Sequence, residues 1–169
     1  PAVVEIMDRY ATLYMAVNQA AVAEQYWLKA LQIRENSLGS QNEQVAANLY
    51  NLGKLENILR KNEQARVHLN WARDIYEYQT IGNEAQLTAI LSELFLCDYM
   101  QGKMDDAEEN LLLMYTIKAE VYGPKHPETL AVMEEQIKFY EGISWDGKAE
   151  AVATDLRERK GAKKEQLER

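Results

Sequence analysis

The chain has 169 residues, enough to bury a sizeable core, with three prolines, eight glycines and 47% apolar residues; so little turn material disfavours an all-β protein, while its Ala, Leu, Glu, Gln and Lys favour helix. A net charge of −8 and a pI near 4.9 argue against nucleic acid as a partner, because phosphate backbones need clustered Lys and Arg on one face. No apolar run approaches the roughly 18 residues that span a bilayer, and the single Cys97 can form no internal disulfide.

Helices are expected at about 3–17, 20–37, 43–60, 63–80, 84–101, 105–122, 127–142 and 147–160, from apolar stripes at helical spacing. Met7 and Ala11 mark the first stripe, and Ala23, Trp27 and Ala30 the second, with a polar break at Asn18 between them. The same pattern returns 42 residues later as Leu49 and Gly53, the break Arg60, then Ala65, Leu69 and Ala72. It returns again as Leu91, Phe95, Gly102, Ala107, Leu111 and Met114, and finally as Met133, Ile137, Ser144, Ala149, Ala153 and Leu156. Each period is therefore a helical hairpin.

Punctuation supports these boundaries. Asp105 is expected to cap the sixth helix, with Glu108 three residues on as in a capping box, and Asn62 and Asp146 to cap the fourth and eighth. Between hairpins come Leu38-Gly39-Ser40-Gln41-Asn42, Ile81-Gly82-Asn83 and Tyr122-Gly123-Pro124-Lys125-His126-Pro127, where glycine ends one helix and Pro127 suits the first turn of the next. Gly82 stands one residue late relative to the strict period, so that connection is remodelled. The charged stretch Gly161 to Arg169 either extends the last helix or forms a tether.

This organisation resembles the tetratricopeptide repeat, and within it the longer kinesin-light-chain-like form. The resemblance is carried by Ala23-Glu24-Gln25-Tyr26-Trp27-Leu28-Lys29-Ala30-Leu31-Gln32-Ile33-Arg34-Glu35 and Val45-Ala46-Ala47-Asn48-Leu49-Tyr50-Asn51-Leu52-Gly53. It recurs in Gln101-Gly102-Lys103-Met104-Asp105-Asp106-Ala107-Glu108 and in Tyr122-Gly123-Pro124-Lys125-His126-Pro127-Glu128-Thr129. It implies an all-α, right-handed α-solenoid of four helical hairpins, with repeats at about 1–39, 40–82, 83–123 and 124–160 forming one domain over 1–160 and a charged tail or helix extension over 161–169. The sequence departs from the family pattern at Asn18 and Arg60, where a turn glycine is usual, and at Glu56 and Asp98, where the first helix often carries an aromatic residue.

Such a stack leaves a concave surface lined by the first helix of each pair, and the resemblance makes that groove the expected binding site. Family geometry places Asp8, Arg9, Thr12, Met15, Tyr50, Asn51, Lys54, Asn57, Ser92, Glu93, Leu96, Tyr99, Glu134, Glu135, Lys138 and Glu141 there. Asn51 and Asn57 suit a peptide backbone, since an amide offers both donor and acceptor. Lys54 suits a carboxylate, and Tyr50 and Tyr99 suit an apolar side chain. Acidic Asp8, Glu93, Glu134, Glu135 and Glu141 favour a basic or mixed-charge ligand. A chaperone tail is disfavoured, because the Lys/Asn clamp for a terminal carboxylate is not reproduced.

Catalysis is not expected. Surface or capping roles suit His68 and His126, a core position suits Cys97, and helix-start electrostatics account for Asp105-Asp106, Glu108-Glu109 and Glu134-Glu135. No metal or cofactor motif is present. Trp27 falls at a repeated core position, while Trp71 and Trp145 suit either core or ligand surface. The basic residues Arg157, Arg159, Lys160, Lys163 and Lys164 read as a solvated helix end. The expected protein is a soluble adaptor or scaffold binding a protein or peptide. A self-association module forming a homo-oligomer, or an accessory domain of a larger protein, is the second reading. The lone thiol suits the cytoplasm, although a removed signal peptide would leave the same sequence. Pro1 in place of Met fits an excised domain, a processed chain or loss of Met alone.

Overall fold

The computed structural model describes residues 2–78 and 82–167, with side chains through Gly161. Among the described residues the regular structure is eight helices: α1 (Ala2–Ala16), α2 (Ala20–Leu38), α3 (Glu43–Ile58), α4 (Asn62–Tyr78), α5 (Glu84–Met100), α6 (Met104–Tyr122), α7 (Pro127–Gly142) and α8 (Asp146–Leu167). Each begins within about one residue of its expected start. The charged stretch after residue 160 continues α8 as far as Leu167. The expected end of the fourth helix at residue 80, Ile81 of the second connection, and the last two residues lie outside the described residues.

One turn structure joins the two helices of every pair. Asn18, Arg60, Gly102 and Ser144 have left-handed backbones, with φ of 59°, 59°, 73° and 59°. The N–H of each donates three residues back, to Met15, Asn57, Tyr99 and Glu141 at 3.0–3.2 Å, and the next N–H donates five back, to Tyr14, Glu56, Asp98 and Tyr140 at 2.8–2.9 Å. These bonds satisfy carbonyls that a helix end would otherwise strand. Only Gly102 enters this conformation without a Cβ; the other three accept roughly 1 kcal/mol each.

The same turn corrects the expected caps. The carbonyls of Gln19, Lys61, Lys103 and Trp145 accept from the N–H groups of Ala23, Ala65, Ala107 and Ala149, so the residue that closes one helix also opens the next. Asn62 and Asp146 are thereby first residues of their helices, and Asp105 lies inside the first turn of α6. Glu108 completes no capping box; its carboxylate accepts from Tyr140 at 2.8 Å and from Lys148 at 2.6 Å. True side-chain caps stand between repeats, where Asn42 accepts from the N–H of Gln44 and His126 from that of Glu128.

The chain forms two compact units, Pro1–Ala107 and Glu108–Arg169. In the first, Leu49, Leu52, Leu55, Leu69, Ile75, Ile90, Leu91 and Leu94 are buried, and fully burying each such side chain contributes about 1.5–3 kcal/mol. The marker residues Ala23, Ala65 and Ala107 have no exposed surface. Small size at this place lets helices approach closely, and α3 and α4 exploit it further at Gly53. A Cβ there would lie 2.5 Å from Cγ of Leu69 and 3.2 Å from the carbonyl oxygen of Ala65. In the second unit Leu130, Met133 and Leu156 form a core, covered by Tyr115, Ile137 and Val152. Trp145 stacks on Tyr140 with its ring face under Lys148, which assigns it to packing.

Both departures from the aromatic pattern prove to be buried acids. Glu56 and Asp98 are each 2% exposed. Glu56 meets Nδ1 of His68 at 2.8 Å, and Asp98 meets Nε of Arg66 at 3.3 Å. His68 is thus a half-buried hydrogen-bond partner of this acid, neither a surface residue nor a cap. The equivalent positions of the first repeat, Tyr14 and Tyr26, are stacked rings with centroids 5.5 Å apart. An aromatic pair and a hydrogen-bonded acid–imidazole pair therefore occupy the same place in successive repeats.

Candidate functional site

The groove between α3 and α5 holds two cavities, one after the other along the helices. The larger, about 470 Å³, is lined by Glu43, Ala47, Tyr50 and Asn51 of α3, by Tyr76 of α4, and by Ala85, Gln86, Ala89 and Ile90 of α5. The smaller, about 340 Å³, is lined by Lys54, Asn57 and Ile58 of α3, Arg60 of the turn, and Glu93, Leu96 and Met100 of α5. Ala47 and Ala89 are repeat equivalents, as are Glu43 and Ala85, and three alanines at these places leave the larger cavity its volume.

Four of the five expected site residues meet in this groove. Tyr50 and Asn51 are half-buried in the larger cavity, and Lys54 is exposed in the smaller one. Among the described residues Lys54 forms no ion pair. Asn57 lines the smaller cavity but is buried, and its amide donates to the carbonyl of Glu93 at 2.9 Å and to its carboxylate at 3.1 Å. Its amide group therefore ties α3 to α5. Tyr99 lines neither cavity; its ring stacks on Phe95, with centroids 6.0 Å apart.

Sequence reasoning missed Tyr76, Gln86 and Arg60. Tyr76 comes from a second helix, where family geometry does not look for groove residues. Burial, with Glu43 nearby, raises the pKa of its hydroxyl, so it stays neutral and able to donate. The one available signal was the run of small residues at Ala47, Ala85 and Ala89.

Two of the five acids expected of the surface are paired with cations. Asp8 is bound by the Arg34 guanidinium, which also donates to Asn48. Glu134 accepts from Lys160 at 2.7 Å, and that hydrogen bond lowers its pKa. Glu93 accepts only from the neutral Asn57 amide and lines the smaller cavity beside Lys54 and Arg60, so charges of both signs meet at that end of the α3–α5 groove, while Glu43 stands at the other.

The remaining chemical candidates have structural roles. Cys97 is fully buried, its thiol donating to the carbonyl of Asn62 at 2.9 Å, and burial pushes its pKa up, which suppresses thiolate reactivity. His126 caps α7. Arg157, Arg159 and Lys160 pair with Glu150, Asp155 and Glu134, while Lys163 and Lys164 fall beyond the described side chains. Among the described residues no cluster of three or more His, Cys, Asp or Glu could hold a metal ion, and no helix is long and apolar enough to cross a membrane.

Comparison with known proteins agrees with this architecture. Residues 3–77 match the tetratricopeptide-repeat family model. Two crystal structures of a Podosopora anserina protein described by its kinesin light chain nearly identical TPR-like repeats, one of them a single-residue variant, are similar in fold. The variant superposes with a TM-score of 0.80 at 21% identity, covering 98% of this chain and 78% of that one. The second gives a TM-score of 0.80 at 21% identity, covering 96% and 77%. BtubC (BKLC) from P. vanneervenii gives a TM-score of 0.77 at 19% identity, covering 95% of this chain and 64% of its own. The curated proteins contain no match to this sequence.

Proposed function

Taking as premise a chain with kinesin-light-chain-like tetratricopeptide-repeat architecture, we propose a non-catalytic interaction module, an adaptor or scaffold that holds a peptide segment or partner domain in the α3–α5 groove. The observation that carries this reading is the pair of cavities set end to end between two successive first helices, with Tyr50 and Asn51 in one and Lys54 in the other. Such a groove offers an extended ligand a half-buried amide and an apolar recess on a rigid support.

The ligand is of mixed charge. An apolar side chain, or one with an apolar stem and a basic head, suits the larger cavity, whose wall is mostly alanine, Ile90 and tyrosine ring with Glu43 at its edge. A carboxylate suits the α3 side of the smaller cavity, where Lys54 and Arg60 stand opposite Glu93 of α5. Asn51 is the residue to grip the ligand backbone, while Asn57 supports the groove from behind. The buried reduced Cys97 fits a cytoplasmic setting.

The test is the double variant Asn51→Ala/Lys54→Ala against a peptide array of mixed-charge sequences, with affinities then measured in solution. The variant keeps wild-type helicity and loses affinity by at least about tenfold, the loss of one or two hydrogen bonds to charged or backbone groups. Unchanged affinity moves the site off this groove.

A further inference from the structure

One place in the repeat carries a cation in three of the four hairpins and a tyrosine in the other. Counted by the period of 42, Arg34, Tyr76, Lys118 and Lys160 are equivalent residues of the second helices. Each of the three cations finds its partner within the chain. Arg34 binds Asp8 of α1 and donates to the side chain of Asn48 of α3 at 3.0 Å. Lys118 meets Glu128 of α7 at 2.7 Å, and Lys160 meets Glu134 of the same helix at 2.7 Å. The second repeat has the place without the cation. There Asp8, Asn48 and Glu128 recur as Tyr50, Ile90 and Gln86, and these three line the larger cavity of the groove together with Tyr76. The cavity thus opens where Arg34 and Lys118 lie in their own repeats.

Two polar groups of its lining are left over. Oε1 of Gln86 is buried without a hydrogen-bond partner, an arrangement that folded chains seldom keep unless something else completes it. Glu43 is the only charged residue of the lining, and among the described residues it forms no ion pair. Its repeat equivalents are Pro1, Ala85 and Pro127, so the acid is peculiar to this hairpin. An amide can turn either end toward a cavity; the sign of what Gln86 receives is therefore fixed by Glu43. The cavity lies beside the first turns of α3 and α5, whose dipoles favour an anion, but Glu43 and Glu84 in those turns already answer that preference. We infer that the larger cavity takes an arginine side chain of the ligand, its guanidinium meeting Glu43 and Gln86 where the other repeats place a cation of their own. This rests on the reading of the α3–α5 groove as the binding site. A guanidinium suits the place better than an ammonium, because its planar fork donates to two acceptors on different helices and stacks on rings such as those of Tyr50 and Tyr76. It is also the more weakly hydrated of the two, so it loses less on entering a half-buried site.

The probes are the acetylated amides of arginine, of lysine and of citrulline, the last having the shape of arginine without its charge. Each is titrated into the full chain and read by NMR from the backbone amide signals of Ala47, Ala85 and Ala89. The arginine compound gives saturating shifts there with Kd on the order of 1 mM, the range for so small a ligand. The lysine compound binds several-fold more weakly, and the citrulline compound at least about tenfold more weakly. Glu43→Gln, at an exposed position, keeps the helicity and weakens the arginine compound by at least about tenfold. Tyr76→Arg gives the second repeat the cation of its neighbours and abolishes binding; because Tyr76 is buried, a loss of helicity in that variant leaves Glu43→Gln to decide. Citrulline or lysine binding as tightly as arginine overturns the inference. So do an arginine affinity unchanged by Glu43→Gln, or shifts that never saturate at the three alanines. The mixed-charge array tests the wider reading separately. Peptides that need Asn51 and Lys54 but bind Glu43→Gln unchanged remove the arginine pocket alone, whereas arginine bound at the three alanines with no array peptide bound removes the adaptor and keeps the pocket.

Discussion

Gly53→Val is expected to destabilise the first compact unit by about 3 kcal/mol, the upper range for overfilling a packed interface. In a solvent-exposed helix the exchange would be favourable, because glycine is a poor helix former by about 1 kcal/mol. Here the sign reverses, since even the first added carbon lies 2.5 Å from the branch point of Leu69 and 2.8 Å from its Cδ2. Leu69 is fully buried, so its retreat would push on the residues packed around it. Gly53→Ala meets the same wall with one carbon and recovers part of the helix propensity, so its cost is about 1–2 kcal/mol. Truncating the obstacle makes the mechanism visible. Leu69→Ala alone opens a cavity and costs about 2–5 kcal/mol, but Gly53→Ala/Leu69→Ala costs less than the two separately, because the added methyl fills part of the space removed. Urea denaturation of the four proteins measures this coupling, expected at about 1–2 kcal/mol. Strict additivity would mean that the α3–α4 approach is not limited at this pair.

The second large effect lies at the buried acid. His68→Ala leaves the Glu56 carboxylate, 2% exposed, without its partner at 2.8 Å, and the protein loses about 1–3 kcal/mol, the cost of a buried acceptor left unsatisfied. Because Tyr14 and Tyr26 fill the equivalent place in the first repeat as stacked rings, Glu56→Tyr/His68→Tyr transplants an arrangement this scaffold already tolerates. The double substitution restores stability to within about 1 kcal/mol of wild type, because replacing both members of a buried hydrogen-bonded pair leaves no group unsatisfied. Thermal denaturation reads both; a double variant no better than His68→Ala would show that the two repeats are not interchangeable here.

Much of the helical architecture was legible because it depends on local signals repeated four times. Ala23, Ala65, Ala107 and Ala149 fall at one interval and are all buried, and the breaks at Asn18, Arg60, Gly102 and Ser144 all build the same turn. The candidate site was less legible, since it depends on partners far apart in sequence. Asn57 reads as a ligand-facing amide until the carbonyl of Glu93, 36 residues away, is seen to occupy it. Asp8 reads as a free groove acid until Arg34 reaches it from 26 residues on. The caps failed for a related reason: Asp105, Asn62 and Asp146 are good capping residues, but the left-handed turn before them had already supplied the acceptor one or two residues earlier.

The central claim is that successive hairpins of 42 residues are equivalent units that shield one another in register. Deleting residues 43–84 tests it directly, because Asn42 then precedes Ala85, the repeat equivalent of the Glu43 it normally precedes. The account predicts that the shortened chain retains its helicity per residue in circular dichroism and unfolds cooperatively in urea, with a smaller dependence on denaturant as less surface is exposed. A chain that loses its helicity or melts without cooperativity when one full period is removed would contradict it.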